Sequence, residues 1–476
     1  MTGPISTRPR EAAGDPQTRA TYERLTSAPV PGLVWEFALP SIVSMLISSI
    51  YNVVDTYFVG KIDTQSTAAV GIVMSYMAII QAVSFFFGHG AGNYISRALG
   101  ARRTGSAADM AAVGFFSAIL ATSLMALAAF AWFNPLLRVL GSTATSLPSA
   151  RSYGLFILAG TPFISGSLVL VNQMRLQGNA TLSMLGVLSG AVLNLVLDPI
   201  LIFQCGMGVA GAGMATALSQ AVSLLVMLSL TGKHGGIRVE LRHFRPSAGA
   251  YREIIAGGLP SLARQGCMCL STICLNNFAA HYGDASVAAF SVVSRIMMFV
   301  FAALLGFGQG FQPICGFNYG AGYYSRVRRA LGFCMTVATG YCVLLGLTGI
   351  RFAPQIVRVF RADDPEVIAI GARVLRYQCV TFLFIGVVVL TNMFLQNIRA
   401  TRSAVVVAMG RHGICFLPPL FVGGIFFGLE GVMLAQPVAD VLSICLAVPL
   451  CLRALRHMNR MPEGRPAAGD QDAAQA

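Results

Sequence analysis

Two aspartates, Asp55 and Asp198, lie inside apolar runs that are long enough to cross a lipid bilayer. Asp55 closes the run YNVVD at residues 51–55, and Asp198 lies in NLVLDP at residues 194–199. A charged side chain at membrane depth costs about 2.5–3.5 kcal/mol of insertion free energy. Such a residue therefore usually has a function, a hydrogen-bonding or ionic partner, or both. We therefore predict that the two carboxylates form one ion-coupling site in a membrane transporter.

Polar neighbours extend this predicted site. Asn194 lies four residues before Asp198, so both side chains share one face of a helix. Pro199 has no backbone N–H and crowds the preceding turn, so the helix should bend there and leave a carbonyl group without its helical partner. A carboxylate, an amide and a free carbonyl on one surface make a hydrophilic pocket for a proton or a small cation. The predicted ion-coupling residues are Asn52, Asp55, Asn194, Asp198 and Thr216.

The electrostatics of two close carboxylates indicate how such a site could drive transport. Two acids in a medium of low dielectric constant cannot both stay ionised, so the pair is expected to take up and release a proton. Moving one charge through the membrane potential supplies about 2.3 kcal/mol per 100 mV. Protonation removes the cost of burying a charge and can let the first span bend at Pro40 or repack. That change would reshape the neighbouring cavity and weaken substrate binding.

The composition is that of a polytopic helical membrane protein. Of the 476 residues, 55% are hydrophobic and 11% are charged, whereas a soluble domain carries about 25% charged residues. The apolar runs are continuous rather than alternating, which argues against a membrane β-barrel. The eleven cysteines lie mostly in apolar segments and predict neither a metal site nor a disulfide framework. Six dispersed histidines indicate no catalytic cluster, so we predict neither an enzyme nor a cofactor.

Twelve membrane spans are predicted, and arginine-rich connections alternate with arginine-poor ones along the chain. Cytoplasmic loops carry the excess of positive charge, so this alternation predicts that both termini are cytoplasmic. It also accounts for the net charge of +14 without a nucleic-acid partner. The polar N-terminal tail, residues 1–32, and the residues from Asn459 onward are predicted to be disordered. The predicted cytoplasmic C-terminal tail comprises residues 453–476. The predicted spans are residues 33–59, 67–89, 108–133, 152–173, 180–203, 208–230, 251–280, 286–312, 327–350, 374–396, 403–426 and 429–451.

An internal repeat divides these spans into two sets of six. The run LPS at residues 39–41 recurs at 259–261, and GA at 100–101 recurs at 320–321, in each case 220 positions later. A constant offset across six spans predicts an all-α fold of two six-helix lobes, related by an axis along the membrane normal, with a cavity between them. The predicted lobes are residues 33–230 and 251–452, joined by a cytoplasmic linker at residues 231–250.

The repeat breaks at both acids. Leu275 lies 220 positions after Asp55, and Pro418 lies 220 positions after Asp198. A purely structural polar pair would have less reason to occur in one half only. We therefore assign the ion chemistry to the first lobe.

Several motifs resemble those of the multidrug and toxic compound extrusion (MATE) family, in particular its bacterial branch with acidic coupling residues in the first lobe. They are YNVVDTYFVG at 51–60, SRALG at 96–100, NLVLDP at 194–199 and QGFQPICGFNYGA at 309–321. The resemblance runs from about Leu33 to Leu452. It implies two lobes that form a V around a central cavity, and export of cationic amphipathic drugs in exchange for protons or sodium. The family's coupling residues match Asp55, Asn194, Asp198 and Thr216.

The expected ligands are small cationic or amphipathic molecules, and the expected surroundings are the lipids of the inner cell membrane, with the protein acting as a monomer. A related fold that flips lipid-linked saccharides is the alternative. Arg264 and Arg295, within second-lobe spans, keep it open because a pyrophosphate group needs cationic neighbours. A passive channel is disfavoured, since a lobed repeat suits alternating access. The predicted substrate-cavity residues are Tyr51, Met174, Gln309 and Gln312.

Overall fold

The computed structural model describes residues 16–233, 236–360 and 364–464, and the regular secondary structure in these ranges is helical. Backbone N–H and C=O groups in lipid have no water to bond, so long apolar runs must satisfy them within a helix. The predicted all-α polytopic fold is confirmed. The α-helices are α1 (Pro16–Ser27), α2 (Val30–Gly60), α3 (Thr64–Gly100), α4 (Thr104–Ala131), α5 (Phe133–Val139), α6 (Leu147–Leu176), α7 (Ala180–Pro199), α8 (Val209–Leu230), α9 (Ala248–Ala280), α10 (Asp284–Gly320), α11 (Tyr324–Phe360), α12 (Pro365–Asn397), α13 (Thr401–Met409), α14 (Leu417–Phe426) and α15 (Gly428–Met458).

Twelve membrane-length segments account for most of the described chain. Eleven of them are long and apolar enough to span a bilayer. The twelfth, α9, has the same length range but carries Arg264 and Gln265 at its middle. The fifth segment of each lobe contains a π-helical stretch. In the first lobe it is Ile200–Gln204, directly after α7, and in the second lobe it is Gly410–Ile414, directly after α13.

The two halves repeat each other in structure as they do in sequence. Both ends of α10 lie 220 positions after the corresponding ends of α3. The break between α4 and α5 falls at Trp132, and α11 has a non-helical residue at Phe352, again 220 positions later. The predicted arrangement in two lobes of six spans is therefore confirmed, with α2 to α8 in the first lobe and α9 to α15 in the second.

The lobes meet through two symmetric helix pairs. α2 packs along α10, and α9 packs along α3. Small residues let the backbones approach closely: a Cβ atom added to Gly310 would lie 2.5 Å from Ala38 Cα, and one added to Gly257 would lie 3.0 Å from the Gly90 carbonyl oxygen. The junction thus depends on the absence of side chains where the helices cross.

We expect Gly310→Ala to push α2 away from α10 and to lower the melting temperature of the purified protein. The new methyl group has no free space, and overpacking costs about 1–3 kcal/mol. Gly340→Ala in α11 is the matched control, because a Cβ atom there meets nothing within 4 Å and alanine is the better helix former. Intrinsic fluorescence on heating in detergent measures both variants. Equal melting temperatures would contradict the tight crossing.

The prediction of a disordered N-terminal tail is wrong for the described part of residues 1–32, which contains α1. Leu25 on α1 is fully buried, and its carbonyl oxygen accepts a hydrogen bond of 3.0 Å from Asn318 Nδ2. Arg326 Nη2 donates to the Ala28 carbonyl oxygen at 2.7 Å. Polar side chains of the second lobe therefore hold this segment, and composition alone does not reveal such long-range contacts.

α15 includes the first residues of the predicted C-terminal tail, 453–476, and ends directly before Asn459, where the predicted disorder begins. α15 continues to Met458, past the predicted end of the last span at residue 451. Hydropathy marks only the part of a helix that lies in lipid, whereas helical hydrogen bonding continues beyond it. Residues 1–15 and 465–476, about half of each predicted tail, lie outside the described residues.

The connection between the lobes is packed against the first lobe. Among its described residues, the Ile237 N–H donates to Gln177 Oε1 at 2.8 Å, and His243 Nδ1 lies 2.9 Å from Asp109 Oδ1. It contains a short 3₁₀ turn at Leu241–His243, and α9 begins just before its predicted end.

Candidate functional site

Asp55 and Asp198 come together deep in the first lobe. α2 packs along α7, so the two acids lie on neighbouring helices. Asp55 is 7% exposed and Asp198 is fully buried. Their carboxylates are close enough to interact electrostatically. The structure thus joins the two residues that the sequence singles out as charged groups at membrane depth.

Four buried oxygen atoms of this acid cluster have no hydrogen-bond partner within the described part of the chain. They are Asp55 Oδ1, Asn194 Oδ1, Asp198 Oδ2 and Thr216 Oγ1. The second oxygen of Asp198, Oδ1, accepts a hydrogen bond of 3.3 Å from Asn194 Nδ2. Buried polar atoms are nearly always paired, so a group of unpaired ones requires an explanation such as catalysis or ion binding. Carboxylate, amide and hydroxyl oxygens together suit a proton or a small hard cation.

The helix that carries Asn194 and Asp198 changes its winding immediately after them. α7 ends at Pro199, and the next turn, Ile200–Gln204, is π-helical. Proline cannot donate to the carbonyl group four residues before it, so the regular ladder is interrupted at this point. Single π-helical turns occur frequently at functional sites. The bend expected from the sequence is therefore present as a wider turn that begins two residues after Asp198.

Two tyrosines border the acid cluster. Tyr51 on α2 and Tyr153 on α6 interact electrostatically with both acids and approach Thr216. This approach does not reach the distance and angle of a normal hydrogen bond, because Thr216 Oγ1 has no partner by those criteria. Tyr51, predicted as a cavity residue, is half-buried beside the acids. Tyr153 escaped sequence reasoning, since a tyrosine in an apolar run carries no distinctive signal.

Two predicted site residues contact groups outside the acid cluster. Asn52 Nδ2 donates to the Ser48 carbonyl oxygen of its own helix at 2.7 Å, so its amide group is used locally. The prediction that Met174 lines the substrate cavity is wrong, because Met174 is 2% exposed and belongs to a buried apolar cluster of the first lobe. A methionine in an apolar helix can face the core or a cavity, and spacing alone does not separate the two.

Gln309 and Gln312 are buried at the junction of the lobes and do not line open space. Gln309 Oε1 accepts a hydrogen bond of 2.8 Å from Arg175 Nη1, and Gln312 is 1% exposed. Arg175 Nη2 also donates to Asn172 Oδ1 at 2.6 Å and lies 3.4 Å from His89 Nε2. The predicted spans end at residue 173 and resume at 180, which leaves Arg175 in a connection, yet it is 3% exposed within α6. The polar run NQMRLQ around it was the available signal.

Asp440, a buried acid of the second lobe on α15, is arranged differently. Asp440 Oδ1 lies 2.8 Å from Arg411 Nε and accepts a hydrogen bond of 3.0 Å from Gln436 Nε2. Its other oxygen accepts a hydrogen bond of 2.9 Å from the Thr381 hydroxyl. Asp440 is therefore neutralised and fully paired, whereas the acids of the first lobe are not.

An ion triad joins the lobes at the end where α3 and α10 finish. Arg97 Nη2 lies 2.9 Å from Glu253 Oε2, and Arg399 Nη2 lies 2.5 Å from Glu253 Oε1. Arg97 Nη1 also donates to the Asn397 carbonyl oxygen at 3.0 Å. Arg97 and Glu253 are 3% and 2% exposed. The triad therefore closes this end of the lobe junction.

Comparisons with known proteins add to this geometry. The family model described as MatE matches residues 40–200 and 260–421. Multidrug export protein MepA of Staphylococcus haemolyticus (strain JCSC1435) is 26% identical over 414 residues, which cover 87% of this chain and 91% of that protein. A crystal structure of MATE in complex with MaL6 has a TM-score of 0.87 at 23% identity, over 93% of this chain and 99% of that one. A MOP superfamily transporter from Pyrococcus furiosus, described as having a binding pocket of reverse polarity, has a TM-score of 0.86 at 24% identity, over 94% of this chain and 100% of that one.

Proposed function

Because this chain belongs to the MatE family, whose model matches both of its lobes, we propose that it exports cationic amphipathic compounds in exchange for protons. The relative MepA is a multidrug export protein by name, which supports the export of foreign compounds. The proposal of proton coupling rests on one observation, namely the four unpaired buried oxygen atoms around Asp55 and Asp198. The paired state of Asp440 supports the assignment of the coupling ion to the first lobe.

The charge of the acid pair links the proton to the substrate. When one of the two acids is ionised, its negative charge attracts a cationic compound into the space between the lobes, and the field is strong because the acids are buried. A proton that enters from outside removes this attraction, so the compound is released on that side. Loss of the proton to the cytoplasm restores the charge and resets the site. The substrate is moved and not chemically changed, which distinguishes this cycle from that of an enzyme.

We expect the purified protein in proteoliposomes to move a cationic dye against its gradient when a pH gradient is imposed. The comparison is a sodium gradient of equal size at constant pH. It should drive no movement, because the four unpaired oxygens of the described site are fewer than the six or more oxygen ligands that hard metal cations such as Ca²⁺ and Mg²⁺ take. Dye accumulation under each gradient is the measurement. Dye accumulation under the sodium gradient but not under the pH gradient would mean that the coupling ion is sodium and not the proton. Equal movement without any gradient would contradict active export.

We also propose that the protein acts as a monomer in the cell membrane, with both termini and the Arg97–Glu253–Arg399 triad on the cytoplasmic side. Eleven apolar helices of spanning length and the arginine-rich connections support this orientation. In that orientation the described conformation is closed towards the cytoplasm. Protease cleavage of a C-terminal tag in inside-out but not right-side-out vesicles would test the orientation.

A flippase for lipid-linked saccharides is the second candidate. Two cations within the spans, Arg175 and Arg264, favour it, because a pyrophosphate group needs positive neighbours. The acids of the first lobe oppose it, since they repel the same group. Transbilayer movement of a lipid-linked saccharide in liposomes, with no movement of the cationic dye, would select this candidate.

A further inference from the structure

The last helix of the second lobe ends in a basic surface groove that the proposed export cycle does not use. We propose that this groove, here called the α15 groove, binds the headgroup of an anionic phospholipid from the adjacent membrane leaflet. Its ligand is a lipid around the protein and not the transported compound, so the site can be tested without any transport. The α15 groove has a volume of about 520 Å³ and is lined by Pro449, Leu452, Arg453, Arg456, His457 and Arg460.

The helix that carries the groove is longer than its counterpart in the first lobe. α8 ends at Leu230, which corresponds to Leu450, whereas α15 continues to Met458. These two added turns extend the helix by about 12 Å, and the headgroup layer on each side of a bilayer is about 5–8 Å thick. Since the predicted last span ends at residue 451, the added turns place arginines where the headgroups lie.

Backbone contacts hold this end of α15 against the connection between α10 and α11. The Gly464 N–H donates to the Gly322 carbonyl oxygen at 3.1 Å. The Ser325 N–H donates to Glu463 Oε1 at 2.7 Å, so the acid that follows the groove in the chain is used at the start of α11. The groove therefore lies at the same end of the protein as the ion triad of the lobe junction.

The three arginines of the groove are exposed and have neither an ion pair nor a hydrogen-bond partner within the ranges that the structure describes. The other ionisable residue in the lining, His457, adds no negative charge. Exposed arginines elsewhere are neutralised, since Arg238 and Arg242 of the linker both pair with Glu240. Several cations without an acid create a positive potential that attracts anionic lipid at the membrane surface.

An exposed apolar stripe leads along α15 into the groove. Its members recur every three or four residues and therefore lie on one face of the helix. Acyl chains cover such a face in a membrane protein, and Leu452 belongs both to the stripe and to the groove. A phospholipid can lay its chains along the stripe and its phosphate among the arginines, which a soluble phosphate cannot do. The stripe comprises Leu434, Val438, Val441, Cys445, Val448 and Leu452.

The charge of the groove selects among membrane lipids. A guanidinium group binds a phosphate through two parallel hydrogen bonds. Phosphatidylcholine carries this phosphate together with a quaternary ammonium group, which the arginines repel. Phosphatidylglycerol carries the phosphate and no cation. The groove should therefore favour phosphatidylglycerol.

The test is native mass spectrometry of the full-length protein in detergent, titrated with dioleoylphosphatidylglycerol or with dioleoylphosphatidylcholine. The affinity for the first bound lipid molecule is the measurement. We expect the wild type to retain phosphatidylglycerol at lower concentrations than phosphatidylcholine. Equal affinities for the two lipids would overturn the proposal.

Variants of the three arginines test whether their charge is responsible. Arg453→Gln/Arg456→Gln/Arg460→Gln should weaken phosphatidylglycerol binding at least about tenfold, because each cation near an anionic surface contributes about fivefold. Its phosphatidylcholine binding should change little. Arg453→Lys/Arg456→Lys/Arg460→Lys keeps the charge and should retain most of the affinity. An equal loss in the lysine and glutamine variants would contradict an electrostatic site.

A matched triple variant separates the position of the charge from its amount. Arg252→Gln/Arg329→Gln/Arg402→Gln removes the same charge from exposed arginines near the starts of α9, α11 and α13. We expect wild-type affinity for phosphatidylglycerol in this variant. Equal weakening in the two glutamine variants would mean that net charge alone attracts the lipid, and the α15 groove would no longer be a site.

Two competing occupants are tested in the same assay. Glycerol 3-phosphate has the phosphate without acyl chains, and displacement of the lipid by it at equal concentration would assign the groove to soluble phosphates instead. Asp470→Asn/Asp472→Asn neutralises the acids of the C-terminal segment 465–476. We expect unchanged lipid affinity in this variant. A clear rise would make that segment the occupant and overturn the lipid assignment.

Discussion

Asp198→Asn is expected to reduce proton-driven dye export to the level of liposomes without protein, while the variant still inserts and folds. Asparagine has nearly the same shape as aspartate but neither binds nor releases a proton in the physiological range, so the charge no longer changes during the cycle. The native carboxylate keeps one buried oxygen unpaired. A neutral amide removes a buried charge there and should not lower the melting temperature.

A second site variant and a control variant accompany this experiment. Asp55→Asn should have the same effect, because the two carboxylates act on each other. Asp284→Asn makes the same chemical change at the exposed start of α10 and should export as the wild type does. Dye efflux under a pH gradient, normalised to the amount of protein incorporated, is the measurement. Wild-type efflux by Asp198→Asn would show that the buried acid is not the proton carrier.

The acids could be found from the sequence because each contrasts with its surroundings. A carboxylate in an apolar run stands out without any knowledge of the fold, and the spacing of Asn194 and Asp198 on one helix face follows from helical geometry. The offset of 220 residues in the sequence predicted the two lobes, and the same offset separates the ends of α3 from those of α10 in the structure. These features depend on local sequence, which a single chain displays fully.

The groups that hold the lobes together were not predictable in the same way. Arg97 and Arg175 lie near the ends of their helices and resemble the arginines of cytoplasmic loops, yet both are 3% exposed. Their partners, Glu253 and Gln309, are on the other lobe, and no spacing rule links positions so far apart. The same limit explains why α1 was predicted as disordered, because its anchors Asn318 and Arg326 belong to the second lobe.

The two lobes share their packing but differ in their charges. The positions 220 residues from Asp55, Arg264 and Asp440 are occupied by Leu275, Ser44 and Gln220. Residues that set helix crossings recur between the halves, and those that carry charge at membrane depth do not. Gene duplication alone would give two equal lobes, so these departures mark where the chain has specialised. Within the described residues, the first lobe presents acids with unpaired oxygen atoms, whereas the buried acids of the second lobe are in ion pairs.

Glu253→Gln is expected to destabilise the closed end of the lobe junction by about 3–5 kcal/mol, the cost of leaving buried charges without their partner. Both oxygens of Glu253 contact arginines, one from the first lobe and one from the second. A neutral amide leaves two guanidinium groups close together without their shared counter-charge. We therefore expect a lower melting temperature and a shift of the population towards a conformation that is open at this end.

A native cysteine reports this opening directly. Cys315 on α10 is fully buried and lies close enough to Arg97 to interact with it electrostatically. Its alkylation by a membrane-permeant maleimide, followed by mass spectrometry, should be at least about tenfold faster in Glu253→Gln, since each 1.4 kcal/mol changes a population tenfold. Glu240→Gln is the matched control, because Glu240 pairs with exposed Arg238 and Arg242 in the linker, where ion pairs contribute about 0–1 kcal/mol. An unchanged rate in Glu253→Gln together with a lower melting temperature would mean that the triad stabilises both conformations equally, and its role in closure would have to be abandoned.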